Sequence, residues 1–337
     1  MAIPFLAAAA GVAAAVGGVR TIDAVDDIST AKRINREAQE LADSATARRE
    51  NKRKETERCL ENLGKAKIQI MAGSMKDFVE TFGRINNPPR LRDSIGMDEL
   101  RDFDSNSEDF RSMEEESFKA SELASGGLGS IAAGTVTAVA AYGTATTIGV
   151  ASTGTAIAGL SGAAATNATL AWLGGGALSA GGAGVVGGMA VLGGLVAAPA
   201  LVITGLFLGS KAEEALNEAR ANKDKARLYD REIQNMCTAL NAIGTRANQI
   251  TDLLKDLEKK LSDATSNLKT VIELCGTEGS TYNDAAVDKV GIAVVTAKLT
   301  KKVIDTSMLK EDGGLTEESR NMLQNTQAKL QELERMK

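Results

Sequence analysis

The feature that most constrains this chain is a long stretch without charge. Residues Leu123 to Ser210 include no Asp, Glu, Lys or Arg, although 25% of the 337-residue chain is charged. This charge-free block also holds 21 of the 34 glycines, and alanine supplies most of its remaining apolar surface. Such small residues let helix backbones approach one another closely. The block therefore suits a lipid bilayer, or a helical interior in which backbones pack against each other.

Glycine-rich turns divide the block into three candidate spans: Leu128–Val150, Thr155–Leu173 and Gly184–Leu208. Each is close to the roughly 20 residues that a bilayer-spanning helix needs. Only the third is strongly apolar, because threonines and other polar residues interrupt the first two. Pairs of glycines four positions apart, in or beside the third span, have the small-xxx-small spacing of membrane helix pairs. The predicted membrane-inserting or helix-packing residues are Gly184, Gly188, Gly205, Gly209, Leu192, Leu195, Leu201 and Phe207.

Three interpretations of the charge-free block remain open from the sequence. The block spans a membrane permanently, it forms a shielded helical hairpin that inserts or stays buried, or it is the core of a soluble fold. If both flanking segments lie on one side of the membrane, the number of crossings is even. Thr155–Leu173 is then the span that we predict to be re-entrant or at the tip of the hairpin.

A long helix with an apolar seam is predicted directly after the block. From Ala226 to Cys275, apolar residues alternate by three and four positions, which is the heptad pattern of a left-handed coiled coil. The predicted helix runs from Lys211 to Cys275 and ends at the glycines Gly276 and Gly279. The seam residues that carry this prediction are Ile233, Met236, Leu240, Ile243, Ile250, Leu254, Leu257, Leu261 and Leu268.

A second long helix, Thr21–Ile85, precedes the block and ends at two asparagines and two prolines. It matches the later helix in length, so an intramolecular coiled coil between the two is expected. We expect antiparallel pairing, because connected elements are usually near neighbours; parallel pairing stays the alternative. Between its apolar stripes, residues Arg48–Arg58 carry mixed charges that predict a solvated helix surface.

The remaining segments complete an all-α fold: an elongated coiled-coil stalk of long helices with a charge-free, Ala/Gly-rich helical hairpin as its head. An apolar N-terminal arm comes first, and an acidic linker with one short helix precedes the block. Two closing helices, Val287–Leu309 and Leu315–Met336, end the chain. The predicted divisions are residues 1–20 (arm), 21–86 (first long helix), 87–122 (linker), 123–210 (block), 211–276 (coiled-coil helix) and 277–337 (C-terminal helices).

The composition argues against an enzyme. The chain contains no histidine, which excludes Ser-His-Asp and Cys-His sites and histidine metal ligation. Its cysteines, Cys59, Cys237 and Cys275, fit neither a disulfide framework nor a metal motif. A G-x-G-x-x-G run at Gly182–Gly187 lacks the strand and acidic residue of a dinucleotide site. We predict no catalytic, cofactor-binding or metal-binding residues, and the net charge of −5 argues against nucleic-acid binding.

The order of long helix, charge-free block and heptad helix resembles that of α-helical pore-forming toxins of the cytolysin A type. It is also similar to the layout of apolipoprotein-L-like channel proteins. Residues Gly154–Gly188 read GTAIAGLSGAAATNATLAWLGGGALSAGGAGVVGG and resemble the core of bacterial glycine-zipper proteins that share this layout. The toxin resemblance implies insertion of the block into a membrane, and it transfers no individual functional residue.

The function expected from these features is that of a membrane-active helical protein, pore-forming or membrane-perturbing, which inserts its Ala/Gly-rich helices. The expected partners are a lipid membrane and further copies of the chain. The expected location is the bacterial cytoplasm, with conditional or constitutive membrane association. The alternative is a non-lytic coiled-coil scaffold or assembly protein in which the block is a tightly packed interior.

Overall fold

The computed structural model describes residues 20–91, 103–127, 133–143, 212–310 and 313–335. Of these residues 86% are helical and none belongs to a strand, so the all-α fold is confirmed for this part of the chain. The elements are α1 (Arg20–Ile70), a π-helical turn (Met71–Met75), α2 (Lys76–Phe82), α3 (Glu108–Ser125), α4 (Ala133–Tyr142), α5 (Ala212–Cys275), α6 (Asp284–Asp305) and α7 (Glu317–Arg335).

The chain divides into two compact units, to both of which α1 and α5 contribute. The first unit comprises Met1–Arg49 and Ala198–Gln234, and the second comprises Glu50–Ala197 and Asn235–Lys337. No helix within the described ranges is long and apolar enough to cross a membrane.

In the first unit, α1 and α5 pack in parallel through small side chains. Polar pairs between the two helices advance in the same direction along both: Asn222 donates to Asn35 (3.1 Å), Lys223 pairs with Glu37 (2.6 Å), and the hydroxyls of Thr46 and Tyr229 lie 2.9 Å apart. Arg48 and Asp230 continue the series. The alanines buried in this unit are Ala31, Ala38, Ala42, Ala45, Ala215, Ala219 and Ala226.

In the second unit, α5 lies at the centre of a larger apolar core. The predicted seam residues Ile233 (in the first unit), Leu240, Ile243, Ile250, Leu254, Leu257, Leu261 and Leu268 are buried. Met236 is half-buried, and Cys275, at the end of the seam, is exposed. Leu253 and Ile272 are also buried, so α5 is apolar over more than a single seam. The extra face meets α7, where Lys260 pairs with Glu334 at 2.7 Å.

The prediction of antiparallel pairing is wrong, because α1 and α5 run in parallel in the second unit as well. Thr56 of α1 donates to the carbonyl oxygen of Leu240 (3.0 Å), and beyond the π-helical turn Asp77 of α2 pairs with Lys269 further along α5 (2.6 Å). Beyond their ends, the backbone N–H of Gly279 donates to the carbonyl of Asn86 (2.8 Å).

The helix that follows α2 in the chain and packs antiparallel against it is α3, which explains the error. Phe110 at the start of α3 contacts Phe82 (ring centroids 5.6 Å apart), and Ser121 near its end accepts a hydrogen bond from Lys76 (3.2 Å). Helix α3 therefore runs antiparallel to α2 and takes the chain back along the bundle. The rule that connected elements are neighbours holds, but it applies to α3, which the sequence predicted only as a short helix of a linker.

The acidic segment before the block is part of the core and not merely a linker. Helix α3 has 18 residues and is capped at its N-terminus by Ser107, whose hydroxyl accepts the N–H of Phe110. Phe110, Met113 and Ala120 form its buried stripe. The sequence predicted only one short helix here, because the many carboxylates on its exposed face mask this stripe.

Leu254 lies in the middle of the α5 seam and is fully buried. Leu254→Asp places an unpaired carboxylate in the core and is expected to lower the free energy of unfolding by about 3–5 kcal/mol. The matched control is Lys259→Ala at an exposed position of the same helix, which should change it by less than about 0.5 kcal/mol. Urea denaturation of both variants measures the difference, and equal losses would show that the seam is not a core.

Candidate functional site

The eight predicted membrane-inserting or helix-packing residues, in or beside the third span, lie outside the described residues: Gly184, Gly188, Leu192, Leu195, Leu201, Gly205, Phe207 and Gly209. The structure describes the beginning of the charge-free block, at 123–127 and 133–143. The candidate site is the surface on which α4 packs. We call it the α4 dock and define it by Gly64, Lys67 and Ile68 of α1 together with Asp305, the last residue of α6, and Met308 just after it.

A backbone-to-backbone contact joins α4 to α1 at Gly64. A Cβ atom built on Gly64 would lie 2.0 Å from the carbonyl oxygen of Val136 and 2.8 Å from its carbonyl carbon. Real Cβ atoms never approach backbone atoms so closely, so any residue other than glycine forces the two helices apart. The composition of the block suggests such a close approach of helix backbones. Here, however, the glycine belongs to α1 and not to the block.

A small apolar cluster surrounds this crossing point. It consists of Ile68 of α1 with Val136 and Val139 of α4, all almost fully buried, and Ala124 near the end of α3 packs against it. Ala140 and Ala141 of α4 are buried as well and belong to the main core. The side chains of α4 are small, so its contact area is limited and the backbone takes a large part in the contact.

The carboxyl end of α4 is fixed by hydrogen bonds to the segment after α6. The carbonyl of Ala141 accepts the N–H groups of Met308 (2.7 Å) and Leu309 (3.2 Å). Gly143 follows with a φ of +88°, a left-handed conformation that glycine adopts without strain. A Cβ at this position would also lie 2.5 Å from the carbonyl oxygen of Asp305. Both constraints require glycine at position 143.

The first candidate span, Leu128–Val150, is therefore not a single helix. Helix α4 has 10 residues, about 15 Å at 1.5 Å per residue, and ends at Tyr142. A bilayer core is about 30 Å thick, so α4 is half the required length. The sequence did not reveal this end because Gly143 is one of many glycines in the block and no charge or proline marks the position.

A buried lysine faces the last turn of α4. Lys67 is 0% exposed, and its Nζ donates to the carbonyl oxygen of Ala140 at 3.3 Å. Burial lowers the pKa of Lys67 to about 7, although the carboxylate of Asp305 acts in the opposite direction. Lys67 forms no ion pair with any residue that the structure describes. A cation at this position is thus poorly solvated and only partly compensated.

Neighbouring charges form a compact network between α3 and α6. Lys301 pairs with Asp305 on its own helix and with Glu116 of α3 (2.8 Å), and the Lys301 and Glu116 side chains are both largely buried. Burial lowers the pKa of Lys301, but the two carboxylates outweigh this effect and raise the pKa above its ordinary value. Ser112 also donates to Glu116 (2.9 Å). Asp305 is therefore engaged by Lys301, which limits its attraction for Lys67.

Other parts of the described chain carry no comparable arrangement. No group of three or more His, Cys, Asp or Glu side chains in the described ranges is placed to hold a metal ion. An open groove of about 1070 Å³ lies where α2 and α5 end, and its Glu278 accepts hydrogen bonds from Asn87 and Ser280. The absence of an enzymatic activity stays a prediction.

Sequence reasoning missed both principal residues of the α4 dock. Lys67 stands in the run GKAKIQI, where a lysine reads as an ordinary surface cation of a helix. Gly64 carried a usable signal, because an isolated glycine within a helical pattern often marks a close packing contact. The helix backbone that meets Gly64 could not be identified, since nothing in the pattern relates α1 to the start of the block.

Gly64→Ala should destabilise the second unit by about 1–3 kcal/mol, because the new methyl group overlaps the backbone of α4. Gly73 in the π-helical turn is the matched control, since a Cβ there meets nothing within 4 Å. Gly73→Ala should be neutral or stabilising by up to about 1 kcal/mol, through helix propensity. Thermal and urea unfolding compare the two; a Gly64→Ala protein as stable as Gly73→Ala would refute the backbone contact.

Searches of the sequence against protein-family models and curated proteins, and of the structure against solved structures, find no match.

Proposed function

We propose that the protein is a membrane-active α-helical protein, pore-forming or membrane-perturbing, that holds its charge-free block on a helical bundle before the block inserts into a lipid bilayer. The observation that carries this proposal is the docking of α4. The described beginning of the charge-free block is held on the bundle by a few small apolar side chains and by two residues of α1, a glycine in close contact and a buried lysine.

The strength of this docking supports a block that can leave the bundle. Burial of a valine side chain stabilises by about 1.5–3 kcal/mol, and α4 offers Val136 and Val139 with smaller alanines beside them. Burial of the Lys67 amine acts against this gain, because it removes the lysine charge from water. The net stabilisation of the docked helix is therefore modest compared with that of the α5 seam.

The remainder of the block supports a lipid destination. Gly184–Leu208 has no charged residue and is long enough to cross a bilayer core as a helix. We propose that this span, with the glycines at 184, 188, 205 and 209 on its packing face, forms the inserting head. The paired helices α1 and α5 would then act as a coiled-coil stalk that stays on the aqueous side. The protein would be located in the bacterial cytoplasm and associate with a membrane conditionally or constitutively.

A second candidate function is a non-lytic scaffold, which the fit of α4 favours. Gly64 accommodates the α4 backbone closely, and the Ala141 carbonyl is satisfied by two N–H groups. Groups paired in this way need no lipid to become stable. In this alternative the whole block is a tightly packed interior, and the helical surfaces bind further copies or another protein.

Liposome flotation separates the two functions. If the block inserts, the wild-type protein should float with vesicles and release an entrapped dye. A double variant, Leu195→Asp with Leu201→Asp, should stay in the dense fraction, because each charge near the centre of a span costs about 3 kcal/mol on insertion. The proposal assigns these two leucines to the lipid-facing span.

Leu228→Asp is the matched control for that experiment. Leu228 is an apolar residue of α5 outside the block, and it is 58% exposed. The same substitution there should leave flotation and dye release unchanged. A wild-type protein that never floats with neutral or anionic vesicles would overturn membrane insertion and leave the scaffold function. If the Leu228→Asp protein lost flotation as fully as the double variant, the result would count against Gly184–Leu208 as the inserting span.

A further inference from the structure

Lys67 occupies a position in the α4 dock where an apolar residue would serve packing better. It lies one turn after Gly64, and its side chain is fully buried between α1 and the last turn of α4. Ile68, the next residue of α1, is buried in an apolar cluster with Val136 and Val139 of α4. Within the described residues its hydrogen bond goes to the backbone carbonyl of Ala140, to which both the neutral amine and the ammonium form can donate. This carbonyl carries no full negative charge that would balance the ammonium.

The charged groups around Lys67 leave its ammonium form poorly compensated. From α6, Asp305 attracts the ammonium but also pairs with Lys301, and Lys301 pairs in turn with Glu116 of α3. On α1 itself, the nearby Lys65 pairs with Glu61 at 2.6 Å. Helix α4 has no charged side chain at all. The docked state therefore favours the neutral amine, whereas a released α4 would expose the amine to water.

The geometry points to Lys67 as a protonation-dependent latch: its neutral amine holds α4, and hence the start of the charge-free block, on the bundle, and its protonation weakens this docking. The inference rests on the proposed function, for which it supplies the regulation. Gly64 and Gly143 fix where α4 lies, and Lys67 sets how firmly it is held. A block that inserts into a membrane must first be released from the bundle. The buried lysine makes the docking of α4 reversible, because protonation of its amine weakens that docking.

The sign of the pH dependence follows from the two states of the amine. The pKa of docked Lys67 is lowered to about 7, whereas an exposed lysine has an ordinary pKa of about 10.4. Between these values the released form holds a proton that the docked form lacks. Docking therefore strengthens as the pH rises from about 7 towards 10, by at most about tenfold per pH unit. Below about pH 7 both forms are protonated, and the docking equilibrium becomes independent of this group.

Hydrogen–deuterium exchange of the full-length protein, without lipid, tests the latch. The readout is the protection factor of the α4 peptide (residues 133–142), which corrects for the pH dependence of intrinsic exchange. In the wild type this protection should fall by more than tenfold between pH 9 and pH 7. Lys67→Met fills the same space without a titratable group, and its α4 should be more protected at pH 7 and almost equally protected at both pH values.

Two further variants keep the test decisive. Lys67→Gln retains a hydrogen-bond donor for the Ala140 carbonyl and cannot be protonated, so it should also abolish the pH dependence, even if Lys67→Met fails to fold. Lys65→Met, the control on the same helix, should behave as the wild type does. The latch would be overturned if the protection of α4 in the wild type were the same at both pH values. It would also be overturned if the protection of α4 in Lys67→Met and Lys67→Gln fell between pH 9 and pH 7 as much as in the wild type. Because no lipid is present, such a failure leaves the flotation result, and the membrane proposal, to be judged separately.

Discussion

The second unit depends on the apolar seam of α5, against which its other long helices are arranged. Side chains such as Leu254, Leu257 and Leu261 are completely buried, whereas the exposed face of the helix is charged. This burial fixes α1 beside α5, and α1 in turn presents Gly64 and Lys67 to the start of the block. The α4 dock is thus built on a surface whose position is set by much stronger interactions than its own. Under the function that we propose, this support would let α4 be released while the bundle stays intact.

The dock contrasts with the block that it receives. The block is free of charge, yet α4 meets a buried amine, and an ion-paired network of Lys301, Asp305 and Glu116 lies next to it. An interior selected only for stability would place a leucine or methionine where Lys67 lies, because burial of a charge without a full partner is costly. This choice of residue is easier to understand in a protein whose block has two destinations than in a permanent core.

Much of the helical content could be predicted from the sequence, because the apolar periodicity is regular. Helix α5 covers Ala212–Cys275 where the sequence predicted Lys211–Cys275. At the end of the predicted helix Thr21–Ile85, the apolar residues are buried: Met71, Met75, Phe78, Phe82 and Ile85. The parallel direction in which α1 and α5 pair could not be predicted, because it depends on α3. The many carboxylates of α3 make its apolar stripe difficult to recognise in the sequence. The dock could not be predicted either. It is formed by single residues, Gly64 and Lys67, at positions where periodicity gives no information about which backbone will approach.

The hydrogen bond between Asn35 and Asn222 in the first unit has a mechanical consequence. Alanine side chains such as Ala38 and Ala219 are too small to interlock, so they alone allow one helix to slide along the other with little steric resistance. Sliding by a single residue moves a helix 1.5 Å along its axis, which is enough to break a hydrogen bond of 3.1 Å. A buried asparagine at such a position restricts a helix pair to one register. Where alanines line the contact, an axial force applied to α5 would therefore meet resistance mainly from polar pairs such as Asn35 and Asn222.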